Sequence, residues 1–123
     1  MKTLRSDFEP PYVITQHGWR YHHLGIPTKE SKPNEKYLKK YKMYVSGFDT
    51  SPYGIEWMRF ETDSPISKLI QTVPHIAFEV DDLDSAIVGK ELIGEISSPS
   101  KGARVAMILD SGAPVELIEF NQD

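Results

Sequence analysis

The sequence contains no cysteine. Disulfide bonds, thiolate metal sites and a cysteine nucleophile are therefore excluded. Positive charge is also scarce, because 14 lysine and arginine residues are outnumbered by 18 acidic residues and the net charge is −4. A chain of this charge presents no basic field to nucleic acid or to an anionic membrane. We expect neither of them as a partner.

Long apolar runs are missing as well. No segment approaches the ~18 consecutive apolar residues that would span a membrane, and residues 1–15 contain no run of signal-peptide length. We therefore expect a cytoplasmic protein. A chain of 123 residues has the size of one domain, residues 1–123, and can bury a single sizeable core.

The segment Val73–Asp82 carries the clearest pattern in the chain. Large apolar residues alternate with other residues from Ile76 to Val80, and this period of two predicts a strand with two different faces. The other face begins with His75 and continues with the small Ala77. A small residue beside the histidine leaves space above that face of the strand.

An earlier part of the chain repeats this pattern. The run His23-Leu24-Gly25-Ile26 matches His75-Ile76-Ala77-Phe78 in the order histidine, large, small, large. Further along each half, Ile55–Phe60 matches Val115–Phe120, with a glutamate second and an aromatic residue last. Each half therefore runs from a strand with a histidine, through a helix, a strand and a turn, to a strand with a glutamate.

The two halves differ in length. His23 and Glu56 are 33 residues apart (56 − 23), whereas His75 and Glu116 are 41 apart (116 − 75). The difference of eight residues (41 − 33) equals about one short strand with its turn. We therefore expect the first half to have lost a strand, which a short strand at Tyr12–Thr15 could replace.

These patterns define the expected organisation of the chain. It has an arm at 1–19, a first module at 20–61, a linker at 62–73 and a second module at 74–121. Cap and periodicity signals predict helices at Glu35–Lys42, at Ile66–Gln71 and after Asp82. The other expected strands are Arg20–Pro27, Met43–Ser46, Tyr53–Phe60, Leu92–Ser97, Ala103–Leu109 and Pro114–Phe120, the last two joined by a hairpin turn.

With histidines and glutamates in matching places, residues 20–120 resemble the vicinal oxygen chelate superfamily. Its members include glyoxalase I, methylmalonyl-CoA epimerase, extradiol dioxygenases, and bleomycin or fosfomycin resistance proteins. The resemblance rests mainly on the segments from His75 to Leu83 and from Pro114 to Phe120. It implies an α+β fold of the glyoxalase/bleomycin resistance type, in which two βαβββ modules form a cupped mixed sheet. The first module would be trimmed.

The resemblance also implies a metal site. Its ligands would be His23, Glu56, His75 and Glu116, a set most similar to that of bacterial glyoxalase I. Four nitrogen and oxygen ligands suit a divalent ion such as nickel, zinc, cobalt or manganese, and leave two positions for water or substrate. Two neutral imidazoles and two carboxylates would balance the ion's charge, so that the site can be buried.

Two neighbouring residues compete for these roles. A single histidine on a strand is usually an ordinary polar group, and only the repeat favours a ligand. The repeat register selects His23, and period-two alternation then places His22 on the helix side of the strand. In the same way it selects Glu116 over Glu119, for which a surface or interface role is expected.

The resemblance implies an enzyme that is lactoylglutathione lyase-like or epimerase-like. Its small-molecule substrate would carry two vicinal oxygens, and the metal would stabilise an enediolate while Glu56 or Glu116 moves a proton next to a carbonyl. The alternatives are a metal-free binding or drug-resistance protein of the same fold, a non-haem iron dioxygenase, or a ligand-sensing module. We also expect a homodimer, because a trimmed module leaves a sheet edge that is usually covered.

Overall fold

A computed structural model of the protein describes residues 4–121. Within this range the chain forms eight strands, three short α-helices and one 3-10 turn. The helices are α1 (Tyr12–Thr15), α2 (Lys68–Thr72) and α3 (Leu83–Ala86), and the 3-10 turn is Lys39–Tyr41. The strands are β1 (Arg20–Pro27), β2 (Lys36–Leu38), β3 (Met43–Ser46), β4 (Ile55–Phe60), β5 (His75–Glu79), β6 (Glu91–Ser97), β7 (Ala103–Asp110) and β8 (Ala113–Phe120).

All eight strands belong to one mixed sheet in the order β2-β3-β4-β1-β5-β8-β7-β6. Strand β1 pairs in parallel with β4, and β5 pairs in parallel with β8. Strands β1 and β5 are antiparallel neighbours at the centre. Each half of the sheet therefore holds four consecutive strands in the same arrangement. This confirms the expected fold class, a cupped mixed sheet built from two similar modules.

Alternation along each strand separates a concave face, which we call the cup, from an outer face. On β4, Glu56, Met58 and Phe60 line the cup, whereas Trp57 and Arg59 contact residues on the outer side. Side chains of a strand alternate in this way because the backbone is pleated. The glutamates that the repeat singled out thus fall on the concave face.

The main hydrophobic core lies on the outer face of the second half. Leu83 of α3 packs there with residues of β5, β7 and β8, and the cluster consists of Phe78, Val80, Leu83, Ala106, Ile108 and Leu117. Asp82 caps α3 as expected, because its carboxylate accepts a hydrogen bond from Ser85 N. The capped helix holds Leu83 against the back of the strands that carry His75 and Glu116.

The first module is trimmed, but the missing element is the helix and not a strand. Residues 20–61, all of which the structure describes, contain no α-helix, and the expected helix at Glu35–Lys42 is instead strand β2 followed by the 3-10 turn. A helix of two turns is marginal on its own, whereas β2 pairs with β3 and places Leu38 in the cup. The length difference lies partly in β2, which has 3 residues against 7 in β6.

Charged and aromatic side chains cover the outer face where the helix is missing. The Arg59 guanidinium lies 4.1 Å from the centre of the Tyr44 ring, and the Lys32 ammonium 4.4 Å from that of Trp57. Arg59 Nε and Nη2 donate to the two oxygens of Glu35, at 2.8 and 2.7 Å. This pair holds the segment before β2 against the sheet, so a single layer of side chains replaces a helix.

The expected strand at Tyr12–Thr15 is wrong, because this segment is helix α1. Pro11 stands at the position before the helix, where a missing N–H costs nothing. Val13 and Trp19 pack against the core cluster, and Trp19 N donates to Val13 O at 2.8 Å. Packing thus overrides the strand preference of the local sequence. Residues 1–3 of the arm lie outside the described residues.

The other boundaries agree closely with expectation. The linker helix is Lys68–Thr72, one to two residues later than predicted, and Ser67 caps it by accepting a hydrogen bond from Leu69 N. In the hairpin between β7 and β8, Ser111 and Gly112 have φ of 51° and 86°. Two central residues with positive φ make the tight turn that suits a twisted hairpin. None of the helices within residues 4–121 is long and apolar enough to cross a membrane.

Candidate metal centre

Two histidines face each other at the centre of the sheet. In the antiparallel register of β1 and β5, Gly25 lies opposite His75 and His23 lies opposite Ala77. Each imidazole therefore stands above a small residue of the neighbouring strand. The ring centroids of His23 and His75 are 5.5 Å apart, with planes inclined by 81°. Both side chains are buried.

Gly25 provides the space that the His75 ring occupies. A Cβ atom added to residue 25 would lie 2.7 Å from His75 Nε2 and 2.8 Å from its Nδ1. Contacts this short between a Cβ and a ring atom do not occur without displacement of one of them. The sequence pattern places a small residue two positions after each histidine. The small residue is needed because the histidine of the opposite strand packs against it.

The parallel strands bring the two glutamates to the same place. Glu56 of β4 lies beside Gly25, and Glu116 of β8 lies beside Ala77. The four central strands therefore supply one candidate ligand each. Ligand atoms of His23, His75 and Glu116 all lie within 4.8 Å of one another, a group that can hold a metal ion.

The contacts of the two carboxylates differ. Glu116 Oε1 lies 2.8 Å from His75 Nε2 and 3.5 Å from His23 Nε2. Glu56 Oε1 lies 3.4 Å from His23 Nε2 and does not belong to the three-residue group. Glu116 thus contacts both histidines, whereas Glu56 contacts His23 at the side of the group.

The charges of the histidines and glutamates in this site change one another's pKa values. Burial disfavours a charged His23, but the neighbouring carboxylates of Glu116 and Glu56 outweigh burial and raise the pKa of His23. Burial likewise opposes the charge of Glu116, yet both histidines outweigh it and lower the pKa of Glu116 to about 2. Burial raises the pKa of Glu56. The site therefore attracts a positive charge between its carboxylates.

The donor atoms fit a divalent ion. Within the part of the chain that the structure describes, His23 Nε2, His75 Nδ1 and His75 Nε2 are buried without a hydrogen bond of good geometry. Buried polar atoms are normally paired, so unpaired nitrogens beside carboxylates need a partner. Imidazole nitrogen and carboxylate oxygen are ligands of first-row divalent ions. A divalent cation would take the place of a proton on His23.

His22 lies on the side of β1 opposite to our expectation. The register of β1 against β5 shifts between Tyr21 and His23, so that His22 occupies a bulge and lines the cup. A bulge adds one residue to a strand and changes the side on which its side chains lie. His22 Nδ1 is 2.8 Å from His23 Nδ1, and its ring stacks on Phe48 at 4.9 Å between centroids. His22 thus contacts the non-ligating nitrogen of His23.

Glu119 lies away from the centre, on the outer face of β8. Its carboxylate accepts a hydrogen bond from Leu83 N at 2.9 Å, and Arg104 lies within 3.5 Å. Glu119 therefore anchors the first residue of α3. Glu119 thus has a structural role on the outer face, whereas Glu116 lies on the cup face.

A cavity of about 320 Å³ occupies the cup. All four candidate ligands lie in its wall, which otherwise consists mostly of apolar side chains from both halves of the sheet. Ile66 and Ile70 of the linker segment also line it. Sequence patterns did not identify Tyr41 and Phe48 as cavity residues, because the segment of Tyr41 was expected to be a helix and Phe48 lies in a loop.

Comparison of sequences identifies no relative. No family model matches the chain, and no curated protein matches it.

Comparison of structures does find similar proteins. A hypothetical protein of Bacillus halodurans C-125 has a TM-score of 0.65 at 20% identity, over 85% of this chain and 96% of that one. Methylmalonyl-CoA epimerase of Mycobacterium tuberculosis has a TM-score of 0.56 at 19% identity, over 81% and 87%. A glyoxalase family protein of Bacillus cereus, at a TM-score of 0.38 and 17% identity, is too distant to support an argument. At these identities the likeness concerns the fold.

Proposed function

We propose that this chain, which has the fold of the vicinal oxygen chelate superfamily, is a divalent-metal enzyme that transfers a proton next to a carbonyl group. The reaction would be glyoxalase-like or epimerase-like, that is, a lyase or an isomerase reaction. One observation carries the proposal: two buried histidines, His23 and His75, form a group with Glu116, and this group lies with Glu56 in the wall of a cavity. The similar fold of an epimerase supports it.

The metal would be held by His23, His75, Glu116 and Glu56. Two imidazoles and two carboxylates neutralise a divalent charge, which allows a buried site. Nickel, zinc, cobalt and manganese are all compatible with this donor set. When bound, such an ion would act as a Lewis acid and stabilise the negative charge that develops on the substrate's vicinal oxygens.

The different contacts of the two carboxylates suggest different roles. Glu116 contacts both histidines and has its pKa lowered to about 2, so it remains a carboxylate that binds cations. Glu56 contacts only His23 among these histidines, and burial raises its pKa. A carboxylate that is less tightly held and more basic is the better proton acceptor. We therefore assign the proton transfer to Glu56.

Exchange with solvent deuterium tests this assignment. The protein, loaded with zinc or nickel, is incubated in D₂O with the hemithioacetal of phenylglyoxal and 2-mercaptoethanol, and the product is followed by NMR. Deuterium should enter the carbon next to the carbonyl. Glu56→Gln should lower the exchange rate by about 100-fold or more, whereas Glu95→Gln, at an exposed position of β6, should leave it unchanged.

The same experiment distinguishes the other functions. Binding of the probe with no exchange in any metal-loaded form would favour a binding or drug-resistance protein. Oxygen consumption with iron bound, undiminished in Glu56→Gln, would favour ring cleavage by a dioxygenase. That reaction requires room at the metal for a chelating substrate and for oxygen, which four protein ligands do not leave.

The exposed end strands of the sheet bear on the assembly of the chain in solution. We propose a homodimer, because β2 and β6 are the end strands of the sheet and, within residues 4–121, each pairs with a strand on one side only. Leu92 and Ile96 on β6 are 40% and 39% exposed. Light scattering at micromolar concentration should give twice the mass of one chain, and the mass of a monomer would contradict this. A cytoplasmic location remains a prediction.

A further inference from the structure

We propose that the cavity selects uncharged, largely apolar substrates and that the Tyr41 hydroxyl binds their second polar group. This inference deepens the proposed function, since it names the substrate class of the same site. Vicinal oxygens would lie at the four candidate ligands, an apolar body would fill the cup, and a hydroxyl or carbonyl oxygen would contact Tyr41.

The composition of the cavity wall supports the apolar part. Both halves of the sheet contribute aliphatic, methionine and phenylalanine side chains on the cup face. None of the described residues that line the cavity is a lysine or an arginine, and two of them, Glu56 and Glu116, are acidic. An anionic group placed there would lose its hydration without gaining a counter-charge, at a cost of several kcal/mol. A cavity of about 320 Å³ is within the range of small-molecule sites.

Tyr41 supplies one of the few polar groups in this largely apolar wall. Tyr41 lines the cavity. The Tyr41 hydroxyl is buried and has no hydrogen-bond partner among the described residues. The Tyr41 carbonyl is fixed from the other side, because it accepts a hydrogen bond from the Ser64 hydroxyl. A buried hydroxyl without a partner costs ~1–3 kcal/mol, which a ligand oxygen would recover. A polar atom of the substrate would supply the missing partner.

The lysines near Tyr41 do not change the charge of the cavity. Lys40 and Lys42 are exposed on either side of Tyr41 and are not among the lining residues. The Lys42 ammonium donates to Asp63, and that of Lys40 lies 5.6 Å from the centre of the Tyr41 ring. Neither lysine therefore supplies a cation to the cavity wall.

Three diketones that share one scaffold test the inference by calorimetric titration of the zinc-treated protein. They are 1-phenyl-1,2-propanedione and its 4-hydroxyphenyl and 4-carboxyphenyl analogues. The hydroxyl analogue should bind tightest, and the carboxylate analogue at least tenfold more weakly than it. Tyr41→Phe should weaken binding of the hydroxyl analogue about tenfold and leave the unsubstituted diketone unchanged. Tyr44→Phe, on the outer face beside Arg59, is the matched control and should change neither.

Each alternative result has a defined meaning. Equal or tighter binding of the carboxylate analogue would overturn the apolar selectivity, and an unchanged affinity in Tyr41→Phe would overturn the role of the hydroxyl. Turnover of methylmalonyl-CoA with deuterium uptake that depends on Glu56 would uphold the proposed function while overturning this inference. If the protein takes up no metal and the diketones still rank as predicted, the proposed function fails and this inference stands.

Discussion

Gly25 shows how one side chain determines the geometry of the candidate centre. Its position opposite His75 leaves room for an imidazole that a Cβ atom would displace. The corresponding position of the other half is Ala77, which lies opposite His23. Ala77 is completely buried. Both halves thus use a small residue to seat the histidine of the other half, with less room to spare at Gly25.

Replacement of Gly25 should therefore act through His75. Gly25→Ala should destabilise the fold by ~1–3 kcal/mol, the usual cost of overpacking, and should weaken zinc binding, because His75 must move. The three atoms nearest to the added methyl all belong to the His75 ring. The double variant Gly25→Ala/His75→Ala should consequently be more stable than the sum of the two single changes predicts. Urea unfolding measures this coupling, and strict additivity would contradict the account.

The contact between His22 and His23 determines which nitrogen of His23 is available. Burial, together with a charge on His23, lowers the pKa of His22, which therefore remains neutral. The two Nδ1 atoms lie 2.8 Å apart, and a metal ion on His23 Nε2 would require that His23 Nδ1–H donate to His22 Nδ1. His23 Nε2 is then free of a proton whenever His23 is neutral, and this is the atom that faces Glu56 and Glu116.

Loss of the His22 acceptor should weaken metal binding. His22→Phe preserves an aromatic ring to stack on Phe48 but removes the nitrogen that orients His23. Partners of this kind contribute about 10–100-fold to metal affinity, and competition with a chelator should show a loss of that size. His17→Phe, on the segment before β1, is the control. Equal affinities in wild type and His22→Phe would show that His22 does not orient the ligand.

At the scale of elements, the sequence predicted strands far better than it predicted their neighbours. Strand β5 and the hairpin of β7 and β8 alternate over five to eight residues, which is enough to determine their type and faces. The segment Glu35–Lys42 places Tyr37, Leu38 and Tyr41 at spacings that suit a helix as well as a short strand and a turn. The segment becomes a strand because it pairs with the edge of β3. The local sequence contains no information about that edge.

The bulge in β1 was invisible for a similar reason. Alternation from His23 back to His22 predicts opposite faces, but the register shift against β5 places both in the cup. Such a shift depends on the partner strand and not on the residue itself. The repeat and the family resemblance together selected the four candidate ligands, whereas His22 has no equivalent in the second half.

The pair of Glu35 and Arg59, which covers the position of the missing helix, should make stability depend on pH. Hydrogen bonds from Arg59 lower the pKa of Glu35 to about 2, from an ordinary value near 4.5. The pair therefore stabilises the fold above pH ~4.5, and its contribution is lost as the pH falls toward 2. Glu35→Gln should lower the denaturation midpoint at pH 7, and the difference from wild type should shrink between pH 4.5 and 3.

A matched variant separates this pair from other acid effects. Glu30→Gln removes an exposed carboxylate of the same segment, 3.5 Å from Lys32, and exposed pairs contribute little. Its unfolding curve should follow that of wild type at every pH. If the Glu35→Gln difference were the same at pH 7 and pH 3, the Arg59 contact would not be the source of the stability.

At the scale of the molecule, the fold follows from the duplication. Two copies of one strand order meet along β1 and β5. Each copy supplies one histidine and one glutamate, and these four residues lie near the central pair of strands. That convergence could be predicted from the repeat together with the family resemblance. The cavity could not, because its wall combines residues of β2–β4, α2, β7 and β8 that no local pattern connects.

We propose that His23, Glu56, His75 and Glu116 together bind one divalent ion, and the number of ions bound per chain is the quantity to measure. The purified protein is loaded with zinc or nickel, freed of excess ion by gel filtration, and measured by elemental analysis. The account predicts about one ion per chain in wild type and in the Glu119→Gln control, and much less in the double variant Glu56→Gln/His75→Ala. Circular dichroism confirms that each variant is folded. Full occupancy in that folded double variant, or no ion in wild type, would contradict the account.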